Sequence, residues 1–146
     1  GEKVAGYLGV VGYDVKCVQS DDLAGVVTAA NDWPAELFVS IHCNSADTDQ
    51  PRGTETWYCH NSDAGAKLAD KIQSQIVNSI GTVDRGIKDA TPGINGLYVL
   101  TNTDMPACLA ETAFISNPDD EKLLADSGTQ DEFARAIARG ITDYFA

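Results

Sequence analysis

Two residues with side chains suited to catalysis stand directly after apolar segments of this sequence. His42 follows the apolar run from Leu37 to Ile41, and Glu111 follows the run from Ala107 to Ala110. A neutral imidazole binds a metal ion, and a carboxyl group desolvated at the end of an apolar strand has a raised pKa and can relay protons. The pair therefore indicates a metal ligand and a proton-transfer group.

Each of these residues also has a purely structural interpretation. A single His is more often structural than a metal ligand, and a Glu at a strand end is often exposed or paired with a cation, here Arg85 or Lys88. Function is favoured for His42 because the small polar residues 43–45 follow it, and such residues can orient an imidazole or hold a substrate.

Two other kinds of site find little support in the sequence. No Gly-rich phosphate loop follows any predicted strand, which argues against a nucleotide-binding domain. Cys43 is a candidate nucleophile, but adjacent residues on a strand point to opposite faces, so His42 is poorly placed to activate it. A thiol hydrolase is therefore the weaker hypothesis.

The hydrophobic pattern predicts strands that alternate with helices. Apolar runs predict strands over residues 14–18, 37–41, 54–59, 97–100 and 107–110. Helical spacing and capping residues predict helices over 4–11, 23–30, 63–80, 118–127 and 133–145, with Gly12, Gly81 and Gly128 as helix ends. Residues 84–86 are predicted to lie in a loop, and Asn95 and Gly96 to form a turn.

This alternation, without an internal repeat or a low-complexity linker, predicts one α/β domain in which helices flank a sheet. A chain of 146 residues with 43% hydrophobic content is of ordinary size for one such domain. Reactive groups gather at the carboxyl ends of strands in these sheets, and we expect His42 and Glu111 to lie at such ends.

The composition limits the partners of the chain. Ten basic residues against 22 acidic ones give a net charge of -12, which repels nucleic acid and anionic lipid surfaces. No apolar run is long enough for a transmembrane segment. Three of the four cysteines lie in apolar, strand-like runs and none forms a C-x-x-C pair, so we expect buried, reduced thiols.

Several segments of the sequence resemble the zinc-dependent N-acetylmuramoyl-L-alanine amidases that cut peptidoglycan. The segments 40–45 (SIHCNS) and 111–117 (ETAFISN) look like the paired signatures of that family, and the separation of 69 positions from His42 to Glu111 fits it. The segments 53–58 (GTETWY), 84–88 (DRGIK), 97–100 (LYVL) and 105–107 (MPA) extend the resemblance, which covers essentially the whole chain.

The resemblance implies a three-layer α/β domain with a mixed, mostly parallel sheet and a catalytic zinc held by two His and one Glu. His42 matches the second His ligand, and Glu111 matches the Glu that transfers protons. Asn44, Arg85 and Lys88 are implied as substrate-binding residues. The implied reaction is hydrolysis of the amide bond between N-acetylmuramic acid and L-alanine, by a monomer that is secreted, at the cell wall, or released at lysis.

The sequence also departs from the family pattern. The first His ligand, in a Gly-rich loop after the first strand, and the ligand Glu of the first helix have no match, and neither Glu2 nor His60 stands where a ligand motif predicts one. We therefore expect residues 1–146 to be an amidase domain that lacks its first strand, the loop after it and the opening turns of the first helix, roughly 25 to 35 residues by usual element lengths. The alternative is an inactive cell-wall-binding or regulatory homologue without a complete metal site.

Overall fold

The computed structural model of the chain describes residues 1–95 and 97–146. The helices are α1 (Glu2–Val10), α2 (Leu23–Asp32), α3 (Asp63–Ile80), α4 (Tyr98–Thr101), α5 (Pro118–Ala125) and α6 (Ser127–Phe145). The strands are β1 (Phe38–Asn44), β2 (Thr54–Cys59), β3 (Asp84–Ala90) and β4 (Ala107–Phe114). The turn predicted at Asn95 and Gly96 includes a residue outside the described ones.

The strands form one mixed sheet in the order β1-β4-β2-β3. Strand β1 is parallel to β4, β2 is parallel to β3, and the central pair β2 and β4 is antiparallel. Helices cover both faces, so the predicted α/β architecture with a mixed sheet is confirmed. None of the helices in the described part of the chain combines the length and apolar content needed to cross a bilayer.

The two faces of the sheet pack against different helices because successive residues of a strand point to opposite sides. On one face, Cys108 and Ala110 of β4 belong to the main core, together with the buried sides of α1, α3 and α6. On the other face, Ala107 and Leu109 join a smaller core with Val27 of α2 and with α4.

The long helix α3 of the main core begins and ends where its capping residues predict. Ser62 accepts a hydrogen bond from the backbone N–H of Gly65 at the start of α3, and Gly81 ends this helix with a φ of 78°. Helix α6 crosses α3 closely at Gly140, where a Cβ atom would lie 2.7 Å from the Cα of Ile72. Only a glycine fits there without a shift of one helix.

Three sequence predictions about secondary structure are wrong. Residues 14–18 form no strand. Their composition is that of a strand, but their backbone is not hydrogen-bonded to any described strand. Residues 98–101 are helical although their composition favours a strand, since burial of Val99 and Leu100 in the smaller core decides their conformation. Residues 84–90 form the edge strand β3, which the charged sequence around Gly86 concealed.

Two further expectations also fail. Gly128 does not end α5, because Asp126 adopts an extended conformation and caps the next helix, which already includes Gly128. All four cysteines are free thiols as expected, but Cys108 alone is buried, while Cys17 and Cys43 are exposed. Cys43 is exposed because it lies near the C-terminal end of the edge strand β1.

Candidate active site

Three ionisable residues lie side by side across the sheet. The Cα of Glu111 on β4 pairs with that of His42 on β1, and on the other side with that of Glu55 on β2. Residues directly opposite one another on neighbouring strands project from the same face. His42, Glu111 and Glu55 therefore form one row, which we call the catalytic row, on the face that carries the smaller core.

Neither His42 nor Glu111 is the last residue of its strand, which corrects the sequence prediction. Strand β1 continues to Asn44 and β4 continues to Phe114, and these two residues are paired. Between this pair and the pair of His42 with Glu111, β4 contains one more residue than β1. Such a bulge re-aims side chains and is common beside active sites. It brings Phe114, rather than residue 113, to the face of the catalytic row, while Ala113 joins the main core.

The imidazole of His42 is exposed and held by its neighbour two residues earlier. Its Nε2 atom lies 2.7 Å from the Oγ of Ser40, which is on the same face of β1. The backbone carbonyl of His42 accepts a hydrogen bond from Thr112 across the strand pair. Partial burial lowers the pKa of His42 and favours the neutral imidazole, which is the form that binds metals.

His42 and Ser40 also line a groove of about 800 Å³ that runs along the outer edge of β1. The rest of its lining is mainly apolar and comes from β1 itself, α1, α2, the segments that follow these two helices, α4 and α6. The groove thus reaches the catalytic row from the β1 side, whereas Glu111 lies beyond it.

Glu111 is half-buried and incompletely paired. Its Oε2 atom is buried and has no hydrogen-bond partner among the described residues. Desolvation raises the pKa of Glu111, and the negative charge of Glu55 raises it further. A carboxyl group in this environment holds a proton more readily than usual, which suits a group that accepts and returns one.

Glu55, to which the sequence analysis assigned no role, is the most buried member of the row. It is 4% exposed, and both of its carboxylate oxygens are occupied. One oxygen accepts a hydrogen bond of 2.8 Å from Nε of Arg85, and the other accepts one of 2.8 Å from Nε1 of Trp57. The sequence did contain a signal for Glu55, namely a Glu in the middle of a segment of strand composition. A carboxylate at such a place is rarely buried without a partner, so its presence indicates a partner and a specific role.

The three residues implied as substrate-binding lie around this row. The guanidinium of Arg85 lies over the ring of Phe114, with 4.9 Å between its Cζ atom and the ring centroid. Lys88 pairs with Trp57 across β2 and β3, on the face of the row. Asn44 pairs with Phe114, and its side chain accepts a hydrogen bond from the backbone of Ser45.

The described residues supply only part of a zinc site. Residues 1–95 and 97–146 contain no group of three His, Cys, Asp or Glu side chains placed to hold a metal ion. His60 bonds to Asp89 beyond the far end of β2, and Glu2 lies in the first turn of α1. A catalytic zinc needs three protein ligands, so any zinc bound by His42 requires further ligands beyond those that these residues bring together.

Comparison with known sequences assigns the chain to a family. The model of the N-acetylmuramoyl-L-alanine amidase family matches residues 1–143. The chain belongs to this family. His42 and Glu111 lie in the two segments that carry the family resemblance. In the sheet, these two residues are directly paired.

Relatives of known name share the same region. The N-acetylmuramoyl-L-alanine amidase LytC of Bacillus subtilis is 37% identical over 121 residues, which are 82% of this chain and 23% of LytC. The germination-specific N-acetylmuramoyl-L-alanine amidase of the same organism is 31% identical over 137 residues, 94% of this chain and 55% of the relative. The chain thus spans between about a quarter and just over half of these relatives.

Solved structures of the family have the same fold. The catalytic domain of CwlV, an amidase from Bacillus (Paenibacillus) polymyxa var. colistinus, superimposes with a TM-score of 0.87 at 34% identity, covering 99% of this chain and 79% of CwlV's. An amidase from Clostridium difficile 630 gives a TM-score of 0.86 at 33% identity, covering 99% of this chain and 78% of its own.

Proposed function

We propose that residues 1–146 belong to an amidase catalytic domain, of which they supply only part of the zinc site, and that this domain hydrolyses the bond between N-acetylmuramic acid and L-alanine in peptidoglycan. Family membership supports the reaction class, and the direct pairing of His42 with Glu111 is the single observation that carries the assignment to this site. The reaction needs a metal-binding or basic group beside a proton-transfer group, and these two residues lie on neighbouring strands facing the same side.

Glu111 is proposed to transfer the protons of the reaction. Its carboxylate takes a proton from the attacking water, and the resulting acid delivers that proton to the nitrogen of L-alanine as the amide C–N bond breaks. The raised pKa of Glu111 suits both steps, because the group must hold the proton between them. The products are a lactyl carboxylate on the sugar and a peptide with a free amino terminus.

His42 is proposed as a ligand of a zinc ion. Zinc, when bound, lowers the pKa of a water molecule to about 7 and polarises the amide carbonyl. The neutral imidazole favoured at His42 suits this role, and the hydrogen bond between its Nε2 and the Ser40 hydroxyl limits the orientation of the ring. Oε2 of Glu111 is buried without a hydrogen-bond partner among the described residues, and this desolvation favours the protonated form that delivers the proton.

The substrate is proposed to lie across the catalytic row with its peptide toward β3. Arg85 and Lys88 are the cations on that side, and we assign them to carboxylates of the stem peptide. Asn44 lies on β1, at the opposite edge of the sheet from β3. We assign it to bind a polar group near the muramic acid. Because the relatives include cell-wall amidases, action at the cell wall is part of the proposal.

A second candidate is a cell-wall-binding or regulatory module without catalysis. The specific observation in its favour is that the described residues contain no complete group of metal ligands. Such a module binds peptidoglycan fragments through the same surface. It releases no free amino termini of L-alanine at any zinc concentration.

The test is digestion of purified peptidoglycan, with added zinc, by the protein that carries residues 1–146 together with the further ligands that a zinc bound by His42 requires, followed by measurement of new L-alanine amino termini. We expect release that stops with a chelator and returns with zinc, and a loss of roughly 10²- to 10⁴-fold in Glu111→Gln. His42→Ala is expected to remove both activity and zinc binding. His60→Ala is the matched control, because that imidazole lies at the far end of β2.

Two results decide against the proposal. Release that persists in the chelator removes the zinc mechanism. Binding of peptidoglycan without any release, with zinc present, selects the non-catalytic module instead.

A further inference from the structure

An ion pair with one buried member, Glu55, stands beside the proton-transfer residue of the proposed reaction. Glu55 and Glu111 are directly opposite on antiparallel strands, and like charges in that position destabilise a sheet. Arg85 offsets the charge of Glu55 through a 2.8 Å contact from Nε. A pair of apolar side chains often stabilises a fold as much as an ion pair with a buried member does. The presence of an ion pair at this place therefore points to a role in the site.

The ion pair is strongly asymmetric in its exposure. The side chain of Glu55 is 6% exposed, whereas that of Arg85 is 34% exposed. Glu55 therefore forms the fixed inner half, and its second oxygen is held in place by the indole of Trp57. The guanidinium is the outer half, and it faces the solvent above the sheet.

The guanidinium of Arg85 is restrained from two directions. Glu55 bonds to Nε, and the ring of Phe114 lies beneath the plane at 4.9 Å from Cζ. Phe114 reaches this place through the bulge that follows Glu111 on β4. Within the described ranges 1–95 and 97–146, the hydrogen bonds of Arg85 involve Nε alone, so both terminal nitrogens remain available.

A second bulge sets the position of Arg85 on β3. Thr54 pairs with Asp84 and Thr56 pairs with Ile87, so one extra residue lies on β3 between them. Gly86 takes a φ of 77°, and its N–H bonds to the carboxylate of Asp84. Strands β4 and β3 thus each carry an extra residue where Arg85 and Phe114 meet, and a regular sheet does not bring these side chains together.

We infer that Glu55 is a positioning residue that fixes the Arg85 guanidinium against Phe114, so that its terminal nitrogens bind a carboxylate of the substrate beside Glu111. This inference rests on the proposed function, because the carboxylate is one of the stem peptide. A planar guanidinium whose Nε is already used can still bind a carboxylate end-on through its two terminal nitrogens. On a chain of net charge -12, a fixed cation is needed to hold an anionic ligand.

The test compares two forms of one ligand by titration calorimetry on the full chain of residues 1–146. One is a muramoyl peptide with free carboxylates, and the other is the same compound with its carboxylates amidated. Glu55→Gln keeps the size of the side chain but removes its charge. We expect the Kd of the carboxylate form to rise about tenfold and the Kd of the amidated form to stay within twofold.

Two further variants make the test specific. Arg85→Met is expected to give the same selective loss, and the double variant no more than either single one, because the two residues act as a unit. Asp119→Asn is the matched control, since it removes the carboxylate partner of Arg52 from an exposed ion pair outside the catalytic row, and it is expected to change neither Kd. Arg85→Met alone decides the question if Glu55→Gln does not fold.

The outcomes separate the inference from the proposed function. Equal weakening of both ligands, or no weakening of the carboxylate form, overturns the inference while leaving the amidase proposal in place. A wild-type chain that binds neither form of the ligand contradicts the proposed substrate, and the inference falls with it. A merely structural role for Glu55 lowers the melting temperature but does not change the preference for the charged ligand.

Discussion

The Cα atoms of His42 and Glu111 are paired across two parallel strands, although they lie 69 positions apart in the sequence. This relationship places an imidazole and a half-buried carboxyl on one face of the sheet. Glu55 continues the row on the next strand. The two carboxyl groups are electrostatically coupled, since the charge of Glu55 adds to desolvation in raising the pKa of Glu111, and this has measurable consequences.

The stability of the metal-free chain is expected to depend on the ionisation of Glu111. Burial raises the pKa of Glu111 in the folded state, so the unfolded state loses this proton first as the pH rises. The stability that the protonated Glu111 contributes to the folded state is fully present below the unfolded pKa of about 4.3. It is lost as the pH rises through the folded pKa. We expect Glu111→Gln to raise the melting temperature relative to wild type more at pH 8 than at pH 4.

The measurement is thermal denaturation of both proteins at the two pH values in the presence of a chelator. Glu132→Gln on the exposed side of α6 is the control for removal of a negative charge, and we expect a small difference that is the same at both pH values. A Glu111→Gln effect that does not grow with pH is evidence against desolvation of this carboxyl.

The crossing of α3 and α6 is expected to tolerate no side chain at Gly140. A Cβ atom there comes within 2.7 Å of the Ile72 Cα, and overpacking of this kind costs about 1–3 kcal/mol. Chemical denaturation of Gly140→Ala measures this loss. Gly6→Ala is the matched control, because the new methyl group meets nothing within 4 Å in α1 and removes the flexibility of glycine. It is expected to stabilise the chain by about 0.5–1 kcal/mol, and equal effects at both sites contradict the packing argument.

Asp120 is expected to be a major determinant of stability near the site. Its buried carboxylate accepts hydrogen bonds from the backbone N–H groups of Gly53 at 2.8 Å and Phe114 at 2.9 Å. Asp120→Ala leaves two buried donors without a partner, which costs on the order of 3 kcal/mol in the free energy of unfolding.

Asp119→Ala is the control for this substitution on the same helix. The Asp119 side chain is exposed and its ion pair with Arg52 is worth less than about 1 kcal/mol. Urea denaturation of both variants measures the difference. Similar losses in the two variants exclude the proposed role of the buried carboxylate.

The cysteines are expected to differ in their reactivity. Complete burial raises the pKa of the Cys108 thiol, while Cys17 and Cys43 are exposed. Because the thiolate is the reactive form, iodoacetamide is expected to modify Cys17 and Cys43 in the native protein and Cys108 only after unfolding. Mass spectrometry of the labelled peptides checks this, with labelling in guanidinium as the control. Modification of Cys108 in the folded chain at the rate of Cys43 is the contrary result.

The part of the fold that follows from local sequence was predicted well. The starts of α3 and α5 are set by Ser62 and Asn117, whose side chains accept hydrogen bonds from the first turn of each helix. Strand β2 was predicted because its residues combine β-branched and aromatic side chains. These features depend on neighbours within a few residues, so composition and spacing are sufficient to predict them.

The elements that were predicted wrongly depend on distant contacts. Strand β3 has few apolar residues, and it exists because β2 supplies its hydrogen bonds. The apolar segment 14–18 has the composition of a strand without a described strand to pair with. For the same reason the ends of β1 and β4 were placed too early, since the ladder that continues to Asn44 and Phe114 is a property of the pair.

The sequence by itself determined the family resemblance, the α/β class and the choice of His42 and Glu111 as candidate site residues, because motifs and hydrophobic periodicity are local properties. The tertiary structure alone decided that these residues are direct neighbours, that Glu55 lies beside them, and that Arg85 stacks on Phe114. Strand order, register and two bulges create those contacts. They result from pairing between segments far apart in the chain, which no local pattern of residues encodes.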